Sequence, residues 1–295
     1  MNKDDQRMML GIDGGGSKCR AVLYHPNGGI LGSGLSGAAN PVNGLAAAQD
    51  SIVDACEQAL TVAGYGRDQL QHCVVGAGLA GVNLPSCMAA MTHWQHPFSE
   101  LYVTTDLHIA CLGAHGRKDG AIIISGTGSC GYLSQQGHGK IYGGHGFPQG
   151  DKGSGAWFGL MTVQRALEAC DGLGPQTWLT EGLSRHFRSS DPLFWIEQLA
   201  GQRSTAYARL AGVLFQGVEH QDVVAQKILQ QGVDYLTRLA TRLLDDGAPR
   251  LALLGGLGPL LIPHLDEAVQ RALCPAQATP EMGAVFFAQD SMGLI

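Results

Sequence analysis

Residues 121–134 read AIIISGTGSCGYLS. Ala121 to Ile124 form a short apolar run of the kind a strand buried on both faces requires. Gly126, Thr127 and Gly128 then turn the chain tightly before another short strand begins. Without Cβ atoms, the two glycines can take positive φ and bring bare backbone N–H groups up to an anion. The Thr127 hydroxyl adds a donor. Alone, Gly-Thr-Gly reads better as an ordinary hairpin turn. The stretch LGIDGGGSKCRAVL at 10–23 repeats strand, glycine turn and strand, which points to an internal duplication at a separation of roughly a hundred residues.

Composition narrows the classes. A chain of 295 residues, 45% hydrophobic and 15% charged, can bury a substantial core and is long enough for two domains. Its 43 glycines lie between apolar strands, where loops close to a ligand would use them. A net charge of −6 without a block of like charges offers no footprint for nucleic acid or an anionic membrane. Residues 1–10 lack a signal-peptide core, and no run is long enough to span a bilayer, so a cytoplasmic protein with a small soluble partner is expected. Eight dispersed cysteines without CxxC read as small core residues in a reducing compartment. His93 and His96 fall three apart on an expected helix with no further ligand pair nearby.

Along the chain, Met8–Ile12, Cys19–Tyr24 and Ile30–Leu35 read as an antiparallel meander. A helix follows from about Asn43 to Ala63, then strand Cys73–Val75, helix Ser86–Trp94, strand Leu101–Thr105 and helix Leu107–Ala114. The pattern restarts at Gly120. Beyond residue 153 helices are expected at 154–170, 177–187, 192–199, 205–217 and 222–244. Strand Leu251–Leu254 ends in Gly255-Gly256, and helices at about 259–273 and 281–290 close the chain. The fold class is α/β, and the domains are expected at 1–118 and 119–280, with a terminal helix at 281–295 packing back on the first.

Asp13 ends the first strand directly before Gly14, Gly15, Gly16, Ser17 and Lys18. A carboxylate beside a phosphate-cradling loop is where a hydrated Mg²⁺ would be held, although a turn-capping Asp is the plainer alternative. The GxxxxGK[ST] spacing is absent, so this is no P-loop. Asp106, between a strand and a helix, reads both as an N-cap and as a base facing a ligand. Phosphoryl transfer needs such a carboxylate to orient the attacking hydroxyl and accept its proton. Of two GxGxxG matches, Gly126–Gly131 lacks a following helix. Gly76–Gly81 is a real rival for a dinucleotide, although Val82 to Pro85 separate its last glycine from the next helix. The long glycine-rich loop 143–155, carrying His145, Phe147 and Asp151, suits a pocket for a polyhydroxylated ligand.

Together these residues resemble the sugar-kinase, heat-shock and actin-like ATPase superfamily, specifically the BadF/BadG/BcrA/BcrD ATPase family and its N-acetylglucosamine and glucosamine kinase branch. Leu10–Arg20 resembles a first phosphate motif, Thr104–Gly113 the catalytic-aspartate segment, Ile123–Gly131 a second phosphate motif and Leu253–Gly258 an adenosine motif. The resemblance implies two ribonuclease-H-like lobes, each a mixed β-sheet with flanking helices, with ATP and Mg²⁺ between them. It further implies Asp106 as the base acting on a sugar 6-hydroxyl, Asp13 as the Mg²⁺ carboxylate through water, and Gly14–Lys18 with Gly126, Thr127 and Gly128 around the phosphates. Gly255 and Gly256 would lie near adenosine, and Asn40, Gly81, Gly144, His145 and Asp151 would contact an amino sugar.

Two departures stand out, His145 and Lys152, where many N-acetylglucosamine kinases resemble Gly-Gly-Trp-Gly and Gly-Asp-Glu-Gly-Ser. The Gly-Phe-Pro run and the segment Thr105–His115 are more similar to bacterial glucosamine kinases, and both sugars stay open as substrates. A second copy of the chain, as a homodimer, is the one macromolecular partner considered. Alternative readings are an ATPase that activates a radical dehydratase or reductase, for which the scattered cysteines are unsuited, and a nucleotide-binding module without catalysis.

Overall fold

Leu10 and Ile12 are fully buried in the computed structural model. They begin a meander of β1 (Met9–Gly14), β2 (Cys19–His25) and β3 (Gly29–Ser36), in which β2 pairs antiparallel with both neighbours. α1 (Leu45–Val62) covers the meander with Ile52, Cys56, Ala59 and Leu60, the stripe its periodicity predicts. A 3-10 turn (Arg67–His72) leads to β4 (Val74–Leu79), parallel to β1; α2 (Pro85–Thr92), β5 (Glu100–Thr105) and α3 (Asp106–His115) follow. The resulting sheet has the order β3-β2-β1-β4-β5.

The second sheet repeats this plan. β6 (Gly120–Ser125), β7 (Ser129–Gln135) and β8 (His138–Gly143) are joined by β9 (Leu251–Leu254), parallel to β6, in the order β8-β7-β6-β9. Counted outward from β1 and from β6 the order is the same, so the sequence duplication reappears as topology. Between β8 and β9 lie α4 (Gly155–Cys170), α5 (Trp178–Phe187), α6 (Pro192–Leu199), α7 (Ser204–Arg209), α8 (Ala211–Glu219) and α9 (Val223–Asp245). After β9 come α10 (Gly258–Leu261), α11 (Glu267–Ala272) and α12 (Pro280–Ser291).

The structure describes residues 7–293. They fall into two units: the chain up to Gly120 together with the chain from Ala276 onward, and Ala121–Pro275. Leu10, Ile12, Ile52, Leu60 and Leu79 anchor one core; Phe158, Leu179, Trp195, Leu214 and Leu236 anchor the other. The expected charged N-terminal stretch begins in residues 1–6, and the expected terminal helix ends at 294–295; both of these pieces lie outside the described residues.

α12 belongs to the first unit and lies across β1 and β4. Gly11 and Gly76 face each other in register there, and a Cβ on either would collide with a backbone carbonyl of α12, that of Glu281 or Ala284. Gly76 and Gly78 are therefore strand residues cleared for helix packing, not a turn opening onto a helix N-terminus. The dinucleotide reading of Gly76–Gly81 is corrected on this ground.

Other expectations change as well. No element is expected at 138–143 from sequence, where the residues of β8 are mostly exposed; pairing to β7 along an edge makes it a strand. The helix expected at 205–217 breaks at Leu210, a buried residue between α7 and α8. The one expected at 259–273 breaks because Pro263 sits in a 3-10 turn and Leu265 is extended. α2 stops at Thr92, which leaves His96 beyond the helix. Cys19, Cys56, Cys73 and Cys111 are core residues, whereas Cys170 is exposed. No helix among the described residues is long and apolar enough to cross a membrane.

Candidate active site

Asp13 lies two residues beyond Gly11 on β1, so its side chain leaves the strand on the face that α12 covers. Its in-register neighbour on β4 is Gly78, where a Cβ would collide with Ile109 of α3. Both helices thus crowd the end of β1, and each carries an acid in its first turn: Asp106 in α3 and Glu281 in α12. Burial first, then Glu281 and Asp106, push Asp13 up to about 7, against the opposing charges of Lys18 and Arg20.

Asp106 is not the N-cap. Thr105 caps α3, its hydroxyl accepting the His108 N–H at 3.2 Å, and Asp106 is the first helical residue. Its Oδ1 accepts the Leu107 N–H at 2.9 Å. Burial raises its pKa, while the backbone N–H groups of Leu107 and Asp106 itself pull it down. The Leu107 N–H thereby fixes the carboxylate at the start of the helix.

The turn after β1 is tied to two neighbouring segments. The Gly15 N–H donates to Lys18 O at 2.9 Å, Gly15 O accepts from Ala39 at 3.0 Å, and Gly14 O accepts from Ala80 at 2.8 Å. Gly16, Ser17 and Lys18 are exposed at its tip. These bonds bring Asn40 beside Gly81. The Asn40 Oδ1 accepts the Val42 N–H at 2.9 Å, and Gly81, at φ +85°, has room for no Cβ against the Asn40 carboxamide.

In the second unit the 126–128 loop is anchored to the start of α4. Gly126 O accepts from Gly155 at 2.8 Å and Thr127 O from Ala156 at 3.2 Å. Gly126 and Gly128 do not use the positive φ that glycine permits. What Gly128 supplies is space: a Cβ there would stand 2.6 Å from Asp151 Oδ2, whereas the position above Gly126 is open. Asp151 has a left-handed backbone, φ 58°, and its Oδ1 accepts the Gly146 N–H at 3.2 Å. Burial raises its pKa, opposed by that N–H and by His145. Gly144 lies over Cys130 in the same loop. Gly255, at φ +96°, packs onto the Ser125 carbonyl, which sets Gly255 and Gly256 beside Gly126.

Sequence reasoning passed over two residues. Glu281 offered only an acid in a helix's first turn, which the helix dipole explains. Tyr235 read as one more residue of an apolar helix face. Its hydroxyl lies 2.8 Å from where a Cβ on Gly143 would stand, and its pKa is raised by burial, then by Asp151 and Cys130. Lys152, by contrast, is explained locally: its ammonium lies 5.3 Å from the Trp157 ring centroid.

Asp13, Asp106 and Glu281 present only oxygen, which suits a hard cation such as Mg²⁺. No three His, Cys, Asp or Glu side chains among the described residues converge as a direct ligand cage. Asp13 is the residue here that could hold such a cation through its water shell.

Two duplicated α/β units, with an acid at the end of the first strand and glycine loops after both leading strands, define the actin-like ATPase class of fold. The chain belongs to the BadF/BadG/BcrA/BcrD ATPase family, whose pattern matches residues 10–288. It is 35% identical over 283 residues to the glucosamine kinase GspK of Vibrio cholerae, covering 95% of both chains. It is 28% identical to an N-acetylmuramic acid/N-acetylglucosamine kinase of Clostridium acetobutylicum, covering 76% of this chain and 75% of that one. A crystal structure from Chromobacterium violaceum, provisionally described as an N-acetylglucosamine kinase, superposes with a TM-score of 0.89 at 29% identity, covering 97% of this chain and 100% of the other.

Proposed function

We propose that this protein is an ATP-dependent amino-sugar kinase that transfers the γ-phosphate of ATP to the 6-hydroxyl of glucosamine or N-acetylglucosamine. The observation that carries the reading is Asp106: a half-buried carboxylate in a helix's first turn, tied through Oδ1 to the Leu107 N–H, with burial raising its pKa above the ordinary carboxylate value. Likeness to an amino-sugar kinase across nearly the whole chain supports it.

In this reading Asn40, Gly81, Gly144, His145 and Asp151 orient the sugar, and the Asp106 carboxylate accepts the O6 proton. As the new O6–phosphorus bond forms, the bond to the β–γ bridging oxygen breaks and ADP leaves. Mg²⁺, when bound, neutralises charge on the phosphates; Asp13 would hold its water shell. Loop residues Gly14 to Lys18 and Gly126 to Gly128 are assigned to the phosphates, and Gly255 with Gly256 to the adenosine. Positioning and charge neutralisation account for most of the barrier lowering in such a reaction, so the protein's work is mainly geometric.

The test is ADP release measured with glucosamine, N-acetylglucosamine, glucose and no sugar. The expected result is sugar-dependent release with at least one amino sugar well above glucose. Equal release with and without every sugar would refute the reading.

A further inference from the structure

Residues 145–150 form hydrogen bonds only inside their own loop among the described residues. The Gly150 N–H donates to Gly146 O at 2.6 Å, and the Gly146 N–H donates to Asp151 Oδ1 at 3.2 Å. Together these bonds close a small ring. The backbone leading into it restrains it little, since Gly143, Gly144 and Gly146 all take positive φ, at 68°, 67° and 85°. Such a ring can pivot as a body unless a side chain ties it to the rest of its unit.

Phe147 supplies that tie. It is the one Phe, Tyr or Trp between Gly143 and Gly155. Its ring centroid lies 5.0 Å from that of Tyr207 on α7, with the two planes 44° apart, inside the range where aromatic rings attract. Tyr207 is itself fixed. It packs against the hydrophobic core of this unit, and its carbonyl rests on α4, where a Cβ on Gly159 would collide with it. Next in the chain, Ala208 lies against Gly155, the first residue of α4, whose N–H holds the Gly126 carbonyl. Through Phe147 the 145–150 ring is thus referred to the same helix start that anchors the 126–128 loop. Asp151 lies between the two, with Oδ1 on the Gly146 N–H and Oδ2 toward Gly128.

We propose that Phe147 is a positioning residue: packed on Tyr207, it holds the 145–150 ring where His145 and Asp151 orient the sugar, without touching the sugar itself. This rests on the reading above that the 143–155 loop binds the amino sugar.

The test is sugar-dependent ADP release by the full-length protein with glucosamine and with N-acetylglucosamine, for wild type, Phe147→Ala, Tyr207→Ala, Tyr207→Phe and the double alanine variant. Phe147→Ala is expected to lower kcat/KM for the sugar at least about ten-fold, because a displacement of about 1 Å away from the chemistry can cost roughly 100-fold. The KM for ATP and the thermal unfolding midpoint should stay near wild type. Tyr207→Phe keeps the ring and should stay within about two-fold, Tyr207→Ala should match Phe147→Ala, and the double variant should lose no more than either, as coupled partners do. Amide hydrogen exchange of the 144–151 segment should be faster in Phe147→Ala while the core strands are unchanged. Unchanged sugar kinetics or unchanged loop exchange in Phe147→Ala overturns the inference and leaves the sugar reading standing. So does an equal loss for sugar and ATP accompanied by a much lower unfolding midpoint, which would give Phe147 a role in the fold alone. Equal ADP release by wild type with and without either sugar refutes the proposed function, and the inference falls with it.

Discussion

Asp151 reaches from the 143–155 loop to the 126–128 turn, its Oδ2 lying 2.6 Å from where a Cβ on Gly128 would stand. The loop assigned to the sugar and the loop assigned to the phosphates are therefore in van der Waals contact, and a change in one is felt in the other.

Gly128→Ala should act through that contact. The added methyl displaces the end of a flexible side chain, so the fold should tolerate it with a loss below about 1 kcal/mol, the size of a surface change. Asp151 would be pushed off the Gly146 N–H, and kcat/KM for the sugar should fall ten-fold or more. Steady-state kinetics alongside thermal unfolding separates the two effects. A large unfolding shift with unchanged kinetics would contradict the assignment.

Asp106→Asn keeps the shape and the Leu107 hydrogen bond but cannot take a proton. Turnover should fall by about 10²- to 10⁴-fold, the usual worth of a general base, while binding of a non-hydrolysable ATP analogue is retained. Calorimetry of the analogue and an ADP-release assay give the two numbers. Near-normal turnover would place the base elsewhere.

The acids at the end of β1 make stability depend on pH. Asp13 is raised from 3.8 to about 7 in the folded chain. Between those values the folded state holds a proton that the unfolded chain gives up. The favourable contribution is therefore full below 3.8 and lost as pH rises through about 7. In EDTA, wild type should lose unfolding temperature between about pH 5 and pH 8 relative to Asp13→Asn, and a divalent cation should restore it at the upper pH. Parallel curves for the two proteins would refute the shift.

Gly76→Ala tests the packing of α12. Its Cβ would meet the backbone carbonyl of Ala284, which cannot rotate away, so overpacking of about 1–3 kcal/mol or more is expected. Chemical denaturation measures the loss. Nicotinamide dinucleotides should leave the wild-type unfolding midpoint unchanged, as expected if Gly76 and Gly78 lie inside a strand; a clear stabilisation by them would revive the dinucleotide site.

Much of the architecture was legible in the residues. The two glycine-interrupted strand pairs at 10–23 and 121–134 carry their pattern locally: apolar runs, a tight turn, and a second strand. They matched β1–β2 and β6–β7 within a residue or two. α1 and α9 were likewise readable, because a long amphipathic stripe repeats enough times to outweigh local exceptions. β8 was not, since an exposed edge strand is made by its partner's hydrogen bonds rather than by its own side chains. The broken helices at Leu210 and Pro263 belong to the same class, where packing or one missing N–H overrides the period.

The candidate site divides along the same line. Sequence alone determined that Asp13 ends a strand beside a glycine turn, that Asp106 stands between a strand and a helix, that the phosphate-type loop occurs twice, and that no P-loop is present, because each of these is a matter of neighbouring residues. Only the tertiary structure decided that Gly76 and Gly78 clear a path for helices, that Thr105 rather than Asp106 caps α3, and that Glu281 joins Asp13 from 268 positions away in the chain. The cap is settled by local geometry, one hydroxyl against an N–H three residues on; the others arise where segments distant in sequence come within a few ångströms, a distance at which the absence of a Cβ or the charge of a carboxylate first acquires a neighbour.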